Sequence, residues 1–227
     1  MGFLKNIFAK GNEPLPPISS KEFKVAVKEY FAPQLREEGW KGTGFDFYKN
    51  ESPLFYVLSF IPNKYGGSFY VEIGIHYSFI TDIEGLQFDS KKLKTYELDF
   101  RRRLKDEDNN VEWQYPSDIE SCSDILDQIW GTLETDGNVF FSQFNRNGEP
   151  WLSIKPSELD SKEQYSKHVN FELPPNARRA WLISQILGYY DKEIQAVEMA
   201  KYGLSRINPP QGQALIQPLN EIISKYN

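Results

Sequence analysis

Residues 65–80 read YGGSFYVEIGIHYSFI, and their alternation decides the fold class. Val71, Ile73, Ile75, Tyr77 and Phe79 fall on one side of an extended chain. Tyr70, Glu72, Gly74, His76 and Ser78 fall on the other, because successive side chains of a strand face opposite ways. One face is apolar. The other carries a carboxylate and one of only two histidines. This pattern suits a strand at the centre of an antiparallel sheet that packs one face on a core.

The flanking sequence supplies partners for it. In residues 44–50, Phe45 and Phe47 alternate with Asp46 and Tyr48, and the Glu51-Ser52-Pro53 turn follows. Residues 54–61 are almost continuously apolar, so that strand should be covered on both faces. Pro62, Asn63, Gly66 and Gly67 form the next hairpin connection. Residues 81–94 have a mixed pattern and read as a loop. In residues 94–104, Tyr96, Leu98 and Phe100 alternate with Glu97, Asp99, Arg101 and Arg103, which predicts a fourth strand. Residues 110–115 place Trp113 in a short strand or turn.

Helical periodicity brackets these strands. Ser19 or Ser20 caps a helix over residues 21–38, with an apolar stripe of Phe23, Val27, Tyr30, Phe31 and Leu35. Pro33 should kink or divide it, and Gly39 should stop it. A second long helix opens at Ser117 or Asp118, carries Cys122, Ile125, Leu126, Ile129 and Trp130, and continues past Asp136-Gly137 to Phe144. Residues 3–8 predict a short amphipathic helix ahead of a Gly/Pro/Ser linker. Residues 177–188, 191–207 and 212–226 form three more helices. Ala180, Gly188, Ala196 and Ala200 permit close helix packing there. The first two resemble a single tetratricopeptide-like hairpin, but without further copies it cannot form a solenoid. The chain therefore divides into a short helix and linker (1–18), an α+β core (19–155) and a helical C-terminal extension (156–227). The core holds an antiparallel sheet of about four strands with helices on one face.

Composition bounds the function. The 227 residues carry a net charge of -6, which argues against a nucleic-acid partner. Aromatic residues make up 15%, which favours a sheet-containing core over a helical bundle. The single cysteine, Cys122, rules out an internal disulfide and a multi-cysteine metal site, and fits a cytoplasmic setting. No apolar run approaches the roughly 20 residues of a membrane helix. No HExxH, phosphate-cradling glycine loop or GxSxG elbow is present, so neither metal nor cofactor is expected.

The order of features resembles a bacterial family, the domain of unknown function 4304. It is carried by LREEGWKGTGFDFYKN at residues 35–50, SFYVEIGIHYSFI at 68–80, Arg101 and Arg103, Trp113, and VFFSQF at 139–144. The resemblance spans residues 21–151 and implies an α+β domain. The family has no established activity, so no functional residues carry over.

The candidate site is the polar side of the sheet. Glu72 and His76 on one strand, with Glu97, Arg101 and Arg103 on another, would bring acids and bases together across neighbouring strands. There the arginines could hold an anion as carboxylate or phosphate forks, and His76 beside a carboxylate could act as a base. The plainer reading is a solvated face with cross-strand ion pairs. Arg102 should point the opposite way from its neighbours. Cys122 reads as a packing residue, His168 as solvent-exposed, and Trp40 and Trp113 as the surface tryptophans. The sequence thus favours a non-catalytic cytoplasmic binding protein with a protein partner, immunity-like or regulatory. A small-ligand binder or hydrolase using the polar sheet face is the alternative.

Overall fold

The computed structural model describes residues 16–89 and 91–226. The short helix expected over residues 3–8 lies outside them. Ser19 caps the first described helix through a capping box with Glu22. Helix α1 (Ser20–Ala26) runs through a π-turn (Val27–Phe31) into α2 (Ala32–Glu37). Pro33 explains the π-turn. It has no N–H to offer the preceding turn, and the Ala32 N–H bonds five residues back to Val27. The proline thus widens the helix instead of ending it.

Gly39, at φ 83°, closes α2 with a Schellman motif: its N–H bonds Arg36 and the Trp40 N–H bonds Leu35. This turn folds Trp40 back onto the core, where it is buried. The sequence reading of Trp40 as a surface residue is therefore corrected.

Six strands follow instead of about four: β1 (Lys41–Thr43), β2 (Asp46–Glu51), β3 (Leu54–Pro62), β4 (Ser68–Tyr77), β5 (Phe100–Arg103) and β6 (Glu112–Gln114). All are antiparallel in the order β1-β2-β3-β4-β5, with β6 also pairing β4. β4 is the hub, bonded to β3 along its whole length and to β5 and β6 on its other edge. Trp113 sits opposite Phe69 and is buried, because β6 turns it toward the core; it too was misread as a surface residue.

Helix α3 (Cys122–Thr132) passes through a second π-turn (Leu133–Gly137) into α4 (Asn138–Phe141). This helix packs with α1–α2 over the apolar side of the sheet. Phe23 meets Phe69, Phe31 meets Phe60, and Phe144 meets Tyr77 and Phe100. At Gly137 a β-carbon would come within 2.8 Å of Leu133 Cδ1, so glycine leaves room for the Leu133 side chain within the π-turn.

After the short α5 (Lys162–Tyr165), helices α6 (Asn176–Tyr189), α7 (Glu193–Ser205) and α8 (Ile216–Tyr226) form the C-terminal group. Their close packing is real: a β-carbon on Gly203 would lie 3.1 Å from that of Ala180. These helices rest on the rest of the fold. One continuous main core runs from Phe23 to Leu219 and includes Trp151, Trp181 and Ile186. Arg178 pairs with Asp99, Gln185 accepts the Thr81 N–H at 3.1 Å, and Tyr189 stacks on Phe79 at 3.7 Å. Among the described residues, no helix is long and apolar enough to cross a membrane.

Candidate functional site

The antiparallel register lays the outer face of the sheet out in rows. Asp46, Ser59, Glu72 and Arg103 form one row, and Tyr48, Val57, Gly74 and Arg101 the next. Phe55 and His76 belong to a third. The structure therefore brings Glu72, His76, Arg101 and Arg103 onto one face, with Arg102 turned to the other and paired to Asp136 at 3.9 Å.

Glu72 anchors the first row. Its carboxylate is buried, with Arg103 Nε at 3.5 Å and Arg101 Nη1 at 3.7 Å. Both guanidiniums are partly in water, at 43% and 42% side-chain exposure, so their attraction to Glu72 is screened. Arg103 also lies 4.0 Å from the Tyr70 ring. Further along, Ser59 Oγ donates to Asp46 Oδ1 at 3.0 Å, and Lys94 pairs with the same carboxylate. Beside Tyr70, Ser68 and then Asn63 donate to Glu112 and hold its carboxyl below the usual range. Cations and carboxylates thus lie side by side on this face, with two arginines sharing Glu72, whose buried Oε2 accepts no hydrogen bond.

His76 is sealed away from that row. Residues 81–89 and 91–99, read from sequence as a loop and then a strand, fold back over the sheet. Phe88, Leu93 and Leu98 pack there on Val57 as a small second core. Leu98 occupies the space left by Gly74, where a β-carbon would meet Leu98 Cδ1 at 2.5 Å and the Phe100 carbonyl at 3.2 Å. The His76 ring sits edge-on to Phe88, with centroids 4.9 Å apart. Burial pushes the imidazolium down to about 4, against the opposing pull of the Ile80 carbonyl and Asp99. A neutral ring under an aromatic lid is badly placed to exchange protons with a ligand.

Glu97 does not join the site. Residues Thr95–Glu97 form a short 3-10 turn, not a strand, and the Glu97 carboxylate accepts the Lys94 N–H at 2.8 Å. Capping its own turn takes it away from Glu72 and Arg101. The strand signal over residues 94–104 was misleading because only Phe100–Arg103 of it pair with β4 as a strand.

The other sequence candidates are structural. Cys122 is buried, and burial pushes its thiol up, assisted by Asp118 and Glu22. His168 is not freely exposed as expected: its Nε2 lies 3.3 Å from Glu158 at 20% side-chain exposure. Among the described residues, no group of histidine, cysteine and carboxylate side chains is arranged to hold a metal ion.

Glu72, His76, Arg101 and Arg103 line none of four clefts found on the described surface. One cleft, of about 450 Å³, opens on the opposite side of the sheet, where β2 and β3 meet the α3–α4 helix. Trp40, Tyr56, Trp130 and Phe141 form its walls. Tyr56 and Phe141 meet edge-to-face at 5.1 Å, and Trp40 lies 6.2 Å from Phe141. Trp130 is braced against Phe31 at 5.6 Å. Around these rings stand Glu38, Lys49, Glu51 and Glu134, the last on the π-turn. Glu51 bonds Lys49 at 2.9 Å and Arg146 at 2.8 Å, and its carboxyl is held low, chiefly by Lys49. Burial pushes the Tyr56 phenol up, with Glu51 adding to the effect.

Sequence reasoning missed this cleft because its walls come from a helix stop, a strand and two turns of a distant helix. Its only local signal was the crowding of aromatic residues at both ends of the region, in residues 40–56 and 130–144.

A family model described as a domain of unknown function (DUF4304) matches residues 31–154. The match takes in every strand, the α3–α4 helix and all four walls of the cleft. No curated protein and no solved structure matches the chain.

Proposed function

This chain belongs to the DUF4304 family, and from that premise we propose that it is a non-catalytic binding protein of the bacterial cytoplasm that captures a protein partner. The observation that carries the reading is the aromatic-walled cleft. Half-buried Trp and Tyr side chains on rigid elements, ringed by polar groups, are the chemistry of interface anchors. Tyr56, Trp130 and Phe141 remain partly accessible there although each packs against a neighbouring ring. The cleft lining contains neither His nor Cys, so its titratable groups suit recognition better than proton transfer near neutral pH. An immunity-like or regulatory role fits a protein of this charge, which would favour a basic counterpart.

Site-specific photo-crosslinking tests it. A photoreactive residue at Ser142, on the cleft, should give a discrete protein adduct in a native lysate, and one at Arg101 should not. Adducts from Arg101 alone would refute the assignment.

The alternative, a small polar or anionic ligand or a hydrolytic reaction on the sheet face, draws support from Arg101 and Arg103 flanking Glu72. Titration with inorganic phosphate, comparing wild type with an Arg101→Ala/Arg103→Ala double variant, tests that reading. Saturable binding lost in the variant would favour it.

A further inference from the structure

We infer that the cleft between β2–β3 and α3–α4 accepts an alkyl-guanidinium or alkyl-ammonium group, presented as an arginine or lysine side chain of a basic partner segment. This rests on the reading of the cleft as the binding surface and specifies the chemistry that enters it.

Three features point the same way. The walls are aromatic rings, and the negative quadrupole of a ring face attracts a cation most strongly at Trp and Tyr. Trp130 and Tyr56 also offer apolar area on which the methylene stem of such a side chain can lie. The rim has a surplus of negative charge. Three carboxylates, Glu38, Glu51 and Glu134, face one lysine, Lys49. Even after Lys49 and Arg146 are both assigned to Glu51, Glu38 and Glu134 remain to meet an incoming cation. The third feature is size. A cleft of about 450 Å³ is large enough for one long side chain with some of its water, and it is open at one side, as a group tethered to a protein requires. An anionic ligand would meet the same carboxylates as like charges, and a purely apolar one would leave them to be desolvated without a partner.

The test uses the full chain and three probes of similar length: Nα-acetyl-arginine amide, the neutral Nα-acetyl-citrulline amide and the anionic Nα-acetyl-glutamate amide. The readout is the indole N–H signals of Trp40 and Trp130, assigned by Trp→Phe variants. The arginine probe should shift both signals saturably. The citrulline probe should bind about tenfold more weakly, the difference expected when a half-desolvated cation–π contact and a carboxylate are lost. The glutamate probe should leave the signals in place. Glu134→Gln should weaken arginine binding several-fold while the unfolding midpoint stays put, which separates the loss from misfolding. Equal binding of arginine and citrulline, or no saturable shift with arginine, would overturn the inference. Failure of the underlying reading looks different. A protein crosslinked from Ser142 together with equal arginine and citrulline binding would leave the binding function standing and remove the cation. Selective arginine binding without any crosslinked protein would leave the cation site standing and remove the protein partner.

Discussion

The two sides of the sheet carry different residue types, and the effect is the reverse of what their polarity suggests. On the outer face, acids and bases outnumber aromatic rings, yet the carboxylates already lie beside cations and the histidine is covered. Glu72 is held by two arginines, Asp46 by Ser59 and Lys94, and His76 lies under Phe88. On the other side, at the margin of the main core, aromatic rings predominate, yet that region is open. The difference shows that a polar pattern does not by itself mark a site. Ion-paired and covered polar groups can serve the fold alone, whereas the proposed binding reading rests on aromatic rings left partly in water around an open cleft. On this account, changes to the outer face should alter stability, and changes to the cleft should alter binding.

The largest expected effect on the outer face comes from pH. His76 has a folded-state pKa of about 4, below its unfolded value near 6.5, so the fold favours the neutral ring. Its contribution is complete above the unfolded pKa and is lost as pH falls from about 6.5 toward 4, because the unfolded chain takes up the proton first. The loss should approach about 3 kcal/mol over that window. Urea unfolding of wild type and His76→Phe across pH 7 to 4 measures it. The variant should show a flatter dependence, and parallel curves would mean that the ring is not sealed.

Next in size is Gly74→Val. Its side chain would enter the space filled by Leu98 and press on the Phe100 carbonyl. It should lower stability by about 2 kcal/mol, the usual cost of overpacking, and should lift residues 81–99 off the sheet. Hydrogen exchange in that segment would report the opening, and the cleft should bind as before.

Glu72→Gln is smaller. It removes the charge that both arginines face, but each guanidinium can turn into solvent, so the loss should be about 1 kcal/mol in denaturant titrations. A loss several times larger would mean that the row is more closed than the arginines' exposure indicates. Smallest of all is Glu134→Gln, an exposed residue on the π-turn. It should leave the thermal midpoint unchanged while weakening cation binding, the reverse of the pattern on the outer face.

The sheet was legible in the sequence because the signal for a strand is local. Alternation in residues 68–77 sorts the apolar side chains onto the main-core face, and the continuous apolar run in 54–61 belongs to a strand with buried residues on both faces. The shared face of Glu72, His76, Arg101 and Arg103 followed from the same parity. What covers that face was not legible. Phe88, Leu93 and Leu98 are separated by polar residues and follow neither period 2 nor 3.6, since each packs from a loop instead of from a regular element. Glu97 was misplaced for the same reason: alternation continued through a segment that makes a 3-10 turn. Trp40 was misread because a glycine stop usually leads out to solvent, whereas the Schellman turn at Gly39 brings the next residue back. The cleft joins residues about 80 or more positions apart in sequence, such as Tyr56 and Phe141, and only tertiary packing brings them together.

The central claim is that binding belongs to the cleft and not to the charged sheet face. Partner capture from a native lysate by three forms of the full chain tests it most directly: wild type, Tyr56→Ser/Glu134→Gln, and Arg101→Ala/Arg103→Ala, each first shown to be folded by circular dichroism. The account predicts that a protein captured by wild type is retained by the arginine double variant and lost from the cleft double variant. The same protein lost from the arginine variant and retained by the cleft variant would contradict it.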